Sequence, residues 1–432
     1  MENNKAMRRR LNTMLLVSLT VCPLFMGACQ RSAPGKSGAR AGQPASSGGP
    51  SPAAASRPTS LSEKPLAPCQ GELLDLAFRT ATAIPVNPHK FDRAKTQAAV
   101  VTTCLELDQP RRALEYIQQI GDWRRGDAYA ALALYCAQHG QTELAATYAA
   151  RAEEIAKKEE DWRRDTIRVK IAQMHAVLGQ GDKATAIEAT FEPAETHIVS
   201  GVRARQADKA AFDEELKALD ACIAAKKFDP MRNALESATR WFDSFYADVE
   251  RRRQVEKRIK DGPRNFPMFI RIDLLLELAR IAVSHADAGK GLELVNEAQG
   301  LFDGANWPLK TRIEVVARLA RARFAAGDAA RAKADAEAAL KLFEAQRNKL
   351  LDIDRAQILL PLGEAYQAMG EAKAALGVYS LAVENGVVNP NSRPRAEDLS
   401  ATCRSMAKHA VEPDAALWAR IREVHKGLGN PW

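Results

Sequence analysis

A short motif that recurs at a fixed interval constrains the fold more than any other feature of this sequence. Asp-Trp-Arg-Arg occurs at residues 122–125 and again at residues 161–164, 39 residues later. A glycine lies fifteen residues after the last arginine of each motif, at Gly140 and Gly179, and an alanine lies five residues after each glycine. Repetition at intervals of roughly 20 to 50 residues indicates a series of similar structural units that stack on one another.

The same spacing recurs further along the chain. The spacing fits Arg312, Gly327 and Ala332, and it fits Arg355, Gly370 and Ala375. In Arg271, Ala286 and Gly291 the glycine and the alanine exchange places, and Arg93, Asp108 and Ala113 fit more loosely. Seven residues after each arginine stands an apolar residue, at Val100, Leu132, Ile171, Leu278, Leu319 and Leu362, and a small residue usually follows it. Glycine ends a helix where a left-handed backbone is needed, and small residues let paired helices cross closely. The pattern therefore predicts a row of helical hairpins.

The rest of the folded part also has helical character. Apolar residues are spaced three and four apart, and the alternation typical of strands is nearly absent. We therefore expect an all-α fold over residues 66–432, an α-solenoid of antiparallel helical hairpins. Pro361 should kink its helix or delay the start of that helix.

Two parts of this region depart from the repeat. Residues 205–262 are expected to form one divergent hairpin, with helices near 211–226 and 231–259. Two further helices, near 396–409 and 413–427, are expected to cap the open end, since a row of repeats needs a polar terminal unit.

One unit matches a known repeat closely. Residues 355–384 carry an apolar, small and aromatic signature at Leu362, Gly363, Tyr366, Gly370, Ala375, Tyr379 and Ala382. This spacing resembles the tetratricopeptide repeat, although the period of 39 to 43 residues exceeds the usual length of that repeat. The resemblance implies a groove, lined by the first helices of the hairpins, that binds a protein or peptide. Carried onto this chain, the candidate groove residues are Lys170, Gln173, Glu277, Arg280, Arg318, Arg321, Glu364 and Gln367.

The N-terminus has the layout of a secretory signal. A basic start is followed by a run from Leu11 to Met26 that is almost free of charge, and then by two small residues that end at Cys29. The residues around Cys29 resemble the bacterial lipoprotein signal, which implies removal of residues 1–28 and lipidation of Cys29. Cys22 is a weaker competitor for that role, and an ordinary signal peptide with an incidental cysteine is the alternative.

Residues 29–65 are expected to form a flexible tether. They are dominated by Ala, Ser, Gly and Pro and show no apolar periodicity, so they cannot bury enough surface to fold. In the lipoprotein family an Asp directly after the lipidated Cys favours the inner membrane, and this chain has Gln30 there. The resemblance thus implies a chain held by its lipid in the cell envelope, at the outer membrane and facing the periplasm.

Charge argues against a nucleic-acid partner. The net charge of +8 comes mainly from residues 1–65, which hold nine Lys and Arg against two Glu, so the remainder is nearly neutral. A nucleic-acid-binding protein carries its positive charge on the folded surface.

Catalytic and metal signatures are also missing from the sequence. Seven histidines are scattered without metal spacing, and His175 is interpreted as a packed or capped residue within a helix. The stretch 179–184 satisfies a loose dinucleotide fingerprint, but it follows a helix where that fingerprint needs a strand. The five cysteines after Cys29 are read as free apolar residues, with a Cys69–Cys104 bridge as the alternative.

Three tryptophans, Trp123, Trp162 and Trp307, fall near the starts of first helices. Their repeated position favours packing between hairpins, with anchoring of a partner as the alternative. We therefore expect a non-enzymatic scaffold that needs no cofactor and no metal and binds a protein or peptide. The competing hypothesis is an envelope enzyme, or a subunit of one, with an active site of unfamiliar pattern.

Overall fold

The structure, a computed structural model, describes residues 61–191, 209–262 and 266–432, and these residues are all-α, without a strand. The predicted signal peptide (1–28), the predicted lipidation site Cys29 and nearly all of the predicted tether (29–65) lie outside the described residues. No helix within the described ranges is both long enough and apolar enough to cross a bilayer.

The helices follow one another with short connections. In the first part they are α1 (Pro68–Ala83), α2 (Val86–Glu106), α3 (Pro110–Ile117), α4 (Arg124–Gln138), α5 (Thr142–Ala156), α6 (Asp161–Val177) and α7 (Gly181–Glu188). The second part has α8 (Lys209–Ala225), α9 (Phe228–Ser244), α10 (Val249–Asp261), α11 (Met268–Ser284), α12 (Ala288–Asp303), α13 (Leu309–Ala325) and α14 (Ala329–Gln346). The third part has α15 (Asp352–Arg355), α16 (Leu360–Ala368), α17 (Ala372–Gly386), α18 (Ser392–Lys408) and α19 (Ala415–Lys426), with single turns of 3₁₀ helix at Arg347–Lys349 and Gln357–Leu359.

Most helices pair into hairpins that stack side by side. In the following the first helices are α2, α4, α6, α9, α11, α13, α16 and α18, and the second helices are α3, α5, α7, α10, α12, α14 and α17. Each of these second helices packs against the first helix before it, and neighbouring first helices pack against one another within each described stretch. One hairpin cannot bury its apolar face alone, so stacking completes the core.

The turns within the hairpins confirm the predicted landmarks. The four glycines of the repeat, Gly140, Gly179, Gly327 and Gly370, all have positive φ, between 72° and 95°. Where the sequence has another residue at the turn, at Asp108 and Ala286, φ is also positive. The left-handed turn is therefore a property of the repeat, and glycine adopts it without the steric cost that a Cβ brings.

The small residues also lie where helices approach most closely. A Cβ placed on Gly363 would come within 2.9 Å of the Tyr379 ring, and one placed on Gly291 within 2.8 Å of Val283. Ala133 and Ala320, at the equivalent small position of two other first helices, are fully buried. These contacts confirm the role predicted for small residues in both helices of a hairpin.

Three boundaries differ from the sequence prediction. The fold begins earlier than residue 66, because Leu61 is buried and its carbonyl accepts a hydrogen bond from Arg111 Nε at 2.6 Å. The single helix predicted near 231–259 is wrong: it is broken between α9 and α10, where Asp248 caps the new helix by accepting from the Arg251 amide. Pro361 does delay the main helix of its hairpin, which starts at Leu360 after a broken first segment.

The most consequential difference concerns the two ends of the folded part. Helix α1 packs along α18 as second helices pack along first helices, and it also packs against α2. Gln70, near the start of α1, donates to the carbonyl of Ala407 near the end of α18 at 2.7 Å, and Thr80 lies 2.9 Å from His425 Nδ1 of α19. The expectation that the C-terminal helices cap an open end is therefore wrong for α18, because α1 covers it.

This junction joins the first and last hairpins into one core. A single apolar cluster contains residues of α1 to α6 together with residues of α17 to α19, whereas two other clusters fill 212–319 and 313–382. No disulfide joins the five cysteines of the described residues, so the alternative Cys69–Cys104 bridge is absent there.

Candidate partner-binding surface

The row of first helices carries all eight residues that the sequence marked as candidates. Lys170 and Gln173 lie on α6, Glu277 and Arg280 on α11, Arg318 and Arg321 on α13, and Glu364 and Gln367 on α16. The structure places six of them on the neighbouring helices α11, α13 and α16 and two on α6, and it leaves few of their side chains unpaired. Nearly all of them pair within the fold.

Ion pairs connect neighbouring first helices across this row. Lys170 of α6 pairs with Asp127 of α4. Arg318 of α13 lies 2.7 Å from Asp273 of α11, and Lys310 Nζ of α13 lies 2.8 Å from Asp354 of α15. Each pair joins two repeats. The charges therefore hold neighbouring helices in register, and they also make the surface of the row polar.

Glu364 is the most constrained charge of the row. Arg321 Nη1 of α13 and Ser405 Oγ of α18 donate to it at 2.9 and 3.0 Å, and His409 Nε2 lies 3.6 Å away. Burial alone would raise the pKa of this carboxyl, but the interactions with His409, Arg321 and Ser405 lower it to about 2. Glu364 therefore stays ionised at neutral pH and ties three first helices together.

The remaining candidates divide into exposed and buried positions. Glu277 and Arg280 form a two-bond pair on the same helix, at 2.7 and 2.9 Å. Gln367 donates to the carbonyl of His409 at 3.3 Å. Gln173 is only 7% exposed, because α4 packs closely over α6, so the expectation that it lines an open groove is wrong.

Three arginines remain accessible despite their pairing. The side chains of Arg280, Arg318 and Arg321 are 43%, 40% and 45% exposed. A guanidinium has five donors, and one carboxylate does not use them all, so each can accept a second acidic group from a partner. Beside them, burial raises the pKa of Glu314, on the same helix as Arg318, above its usual range.

The acidic members of these ion pairs were not predicted from the sequence. Asp127, Asp273 and Asp354 each lie 43 to 45 residues from their basic partner, which is about one repeat. Opposite charges separated by one repeat length are a signal that could have found them. The sequence of a single helix does not show the pairing, because the two members of each ion pair lie on different helices.

A buried arginine supports the same helix from behind. The Arg323 side chain of α13 is fully buried; it donates to Asn296 at 2.9 Å and Gln299 at 3.3 Å in α12, and to Asp335 at 3.2 Å in α14. A buried charge needs such complete pairing, because desolvation otherwise costs several kcal/mol. Arg323 thereby fixes α13, which carries Arg318 and Arg321 on its open face.

The tryptophans pack as the repeated position predicts. Trp123 and Trp162 meet edge to face at 5.1 Å, joining the starts of α4 and α6. Trp307 stacks on Phe302 and donates its ring N–H to the carbonyl of that residue at 2.7 Å. His175 is half-buried and lies 2.8 Å from Gln180 Oε1; burial lowers its pKa.

A second surface feature is an open cleft of about 920 Å³ between α1 and α3. Its central groups pair with each other, since Arg112 and Tyr116 of α3 both donate to Asp75 of α1. The Phe78 ring stacks on Tyr116 beneath them at 3.9 Å. This arrangement joins α1 to α3. Within the described ranges there is no group of three or more metal-ligating side chains.

Comparison of the chain with models of known protein families finds no match. Comparison with curated proteins finds no significant relative either.

Proposed function

We propose that this chain is a membrane-anchored scaffold whose row of first helices binds a protein or peptide partner. The observation that carries the proposal is the line of half-exposed arginines on α11 and α13, of which Arg318 and Arg321 pair with carboxylates of neighbouring helices. Rows of stacked helical hairpins bind extended segments along such a surface. The resemblance of residues 355–384 to the tetratricopeptide repeat supports the same reading.

The chemistry of the surface supports one kind of partner. Arg280, Arg318 and Arg321 offer guanidinium donors on two neighbouring first helices, and their own carboxylate partners keep the surface near neutral overall. We infer that the partner contains an extended segment with acidic side chains, because those would add hydrogen bonds to the arginines without displacing the existing pairs. Exposed ion pairs are screened by salt, so binding should weaken as ionic strength rises.

The location follows from the N-terminal sequence. We propose that residues 1–28 are removed, that Cys29 is lipidated, and that residues 29–65 link the anchor to the helical part on the periplasmic side of the outer membrane. Replacement of Cys29 by Ser should move the chain from the membrane fraction to the soluble fraction. Retention of residues 1–28 in the mature chain would contradict this part of the proposal.

Affinity capture from envelope extract tests the binding surface, with the whole chain as bait. We expect the wild type and an Arg331→Glu variant to capture the same partner, because Arg331 is exposed on the second helix α14, away from the row. The Arg318→Glu variant should lose that partner, since it places an acid where the partner presents its own. Equal capture by all three baits would show that the first helices are not the binding surface.

A further inference from the structure

The most exposed apolar side chains of the described residues gather at one edge of the row. Nine large apolar residues of the described ranges are exposed; six of them lie at or within five residues of the start of a first helix, and Leu351 and Ile353 lie at the short helix α15 that precedes the first helix α16. The eight include Phe91, Trp162, Phe228, Phe269, Leu351 and Val388, which are between 42% and 65% exposed. The ninth, Val249, starts the second helix α10 and so lies at the opposite edge. We call the set of eight the apolar edge.

The members of the apolar edge lie along one edge of the row, because the starts of several neighbouring helices touch one another. The contacts are Trp123 with Trp162 at 5.1 Å, Phe228 with Phe266 at 5.0 Å, Lys310 with Asp354 at 2.8 Å, Asp352 with Asn389 at 3.1 Å, and Asp92 with Arg393 at 3.7 Å. Single exposed apolar residues are ordinary on protein surfaces. Five of the eight first helices have one at or near their start, and α15, which precedes α16, has two more, which is a pattern.

Exposed cations alternate with these apolar side chains. Lys90 directly precedes Phe91, Lys227 directly precedes Phe228, and Lys349 lies two residues before Leu351. All three lysines are exposed.

Three carboxylates of the same edge are neutralised within the fold. Arg124 pairs with Asp122 at 2.5 Å, Lys310 with Asp354, and Arg393 with Asp92. Asp352 contacts the amide of Asn389, and Glu160 beside Trp162 is exposed. The exposed lysines therefore make the edge positive around Phe91 and Phe228.

We propose that the apolar edge docks on the surface of an anionic lipid bilayer; this inference rests on the membrane attachment proposed above. Aromatic and aliphatic tips that enter the boundary between headgroups and acyl chains, flanked by Lys and Arg, are the usual means by which a protein lies on a membrane. The tips are separated by the spacing of neighbouring helices, about 8–10 Å. A fluid bilayer accommodates isolated tips, whereas a protein interface buries a continuous apolar core that excludes charge.

Fluorescence quenching by brominated lipids tests this docking, with the whole chain bound to vesicles. Phe269→Trp places a new indole on the apolar edge, and Val249→Trp places one at an equally exposed site on the opposite edge. We expect brominated phosphatidylglycerol to quench the fluorescence added by Phe269→Trp and to leave that added by Val249→Trp unchanged. Vesicles of brominated phosphatidylcholine should quench the first variant much less. Phe228→Trp serves as a second variant on the edge.

Unquenched fluorescence from both edge variants, or equal quenching of all three variants, would overturn the proposal. An emission maximum already shifted to the blue without lipid, together with sedimentation as a dimer, would indicate that a second copy covers the edge and would also overturn it. The capture experiment is a separate readout: loss of capture with quenching intact refutes the binding surface alone, and intact capture without quenching refutes the edge alone.

Discussion

The contact between α1 and α18 joins the two ends of the folded part, and a single substitution in α1 tests it. Leu73 lies on α1 and is fully buried in the apolar cluster that also contains Leu399, Cys403 and Met406 of α18. Leu73→Ala removes three carbon atoms from this shared core. Because α1 covers α18, the substitution should weaken the last hairpin as well as the first.

The size of the effect follows from burial. Leu-to-Ala replacements at fully buried sites cost about 2.7–5 kcal/mol, since the lost transfer free energy adds to the energy of the cavity. A local loss of about 3 kcal/mol corresponds to roughly 150-fold faster amide exchange, if exchange proceeds through opening of the α1–α18 pair. The change should therefore be easy to resolve in peptides that cover residues 392–408, more than 300 positions from the substitution.

Hydrogen–deuterium exchange read by mass spectrometry is the appropriate assay. Leu294→Ala serves as the matched control, because Leu294 of α12 is equally buried but belongs to a different cluster. The control should speed exchange in α11 to α13 and leave α18 unchanged. If Leu73→Ala speeds exchange in α1 and α2 while α18 keeps its protection, then α1 does not hold the last hairpin, and the joined row described here is wrong.

Three further predictions concern packing, pH and buried charge. Gly363→Ala should lower the free energy of unfolding by about 1–3 kcal/mol, because its Cβ would meet the Tyr379 ring, whereas Gly377→Ala on open helix surface should stabilise by about 0.5–1 kcal/mol; denaturant titration measures both. Burial raises the pKa of Asp398 to about 7, so the folded state binds a proton that the unfolded state releases near pH 4; the stability of wild type relative to Asp398→Asn should therefore fall from pH 4 to 7 and then level off. Arg323→Ala should destabilise by about 2–5 kcal/mol, because it removes a fully buried side chain together with its hydrogen bonds to α12 and α14, and an unchanged melting temperature would contradict that role.

The repeat landmarks were predictable because each depends on local geometry. A residue fifteen positions after an arginine must turn left-handed to start the return helix, and this holds for Gly140 as it does for Ala286. The sequence analysis overlooked that Arg395 and Ala410 have the same spacing. Ala410 also has positive φ, so α18 is a further first helix of the repeat and not only a terminal cap.

The broken helix between α9 and α10 shows where local reasoning failed. Phe242, Phe245 and Val249 lie on one apolar stripe, which favoured a continuous helix. Asp248 then competes with the helix by accepting a hydrogen bond from the Arg251 amide. Aspartate is a strong N-cap residue, and that signal outweighs an apolar stripe that could serve either arrangement.

The candidate surface was predictable in outline but not in detail. The spacing of apolar residues indicates which residues share a helix, so the sequence correctly placed Arg318 and Glu364 on neighbouring first helices. Which charge meets which depends on how one hairpin is rotated against the next. Gln173 illustrates the limit, since the close approach of α4 buries it and nothing in its own helix indicates that approach.

The joined ends bear directly on how the first helices can bind a partner. A row with a free end can bend and fray there, so a partner would have to order it and would lose affinity. Helix α18 is instead held by α17 on one side and by α1 and α2 on the other. The first helices from α9 to α18 thus continue without a free end into α2, α4 and α6. We therefore expect the arginines of α11 and α13 to be preorganised, and loosening α1 by Leu73→Ala should weaken partner capture although that residue touches none of them.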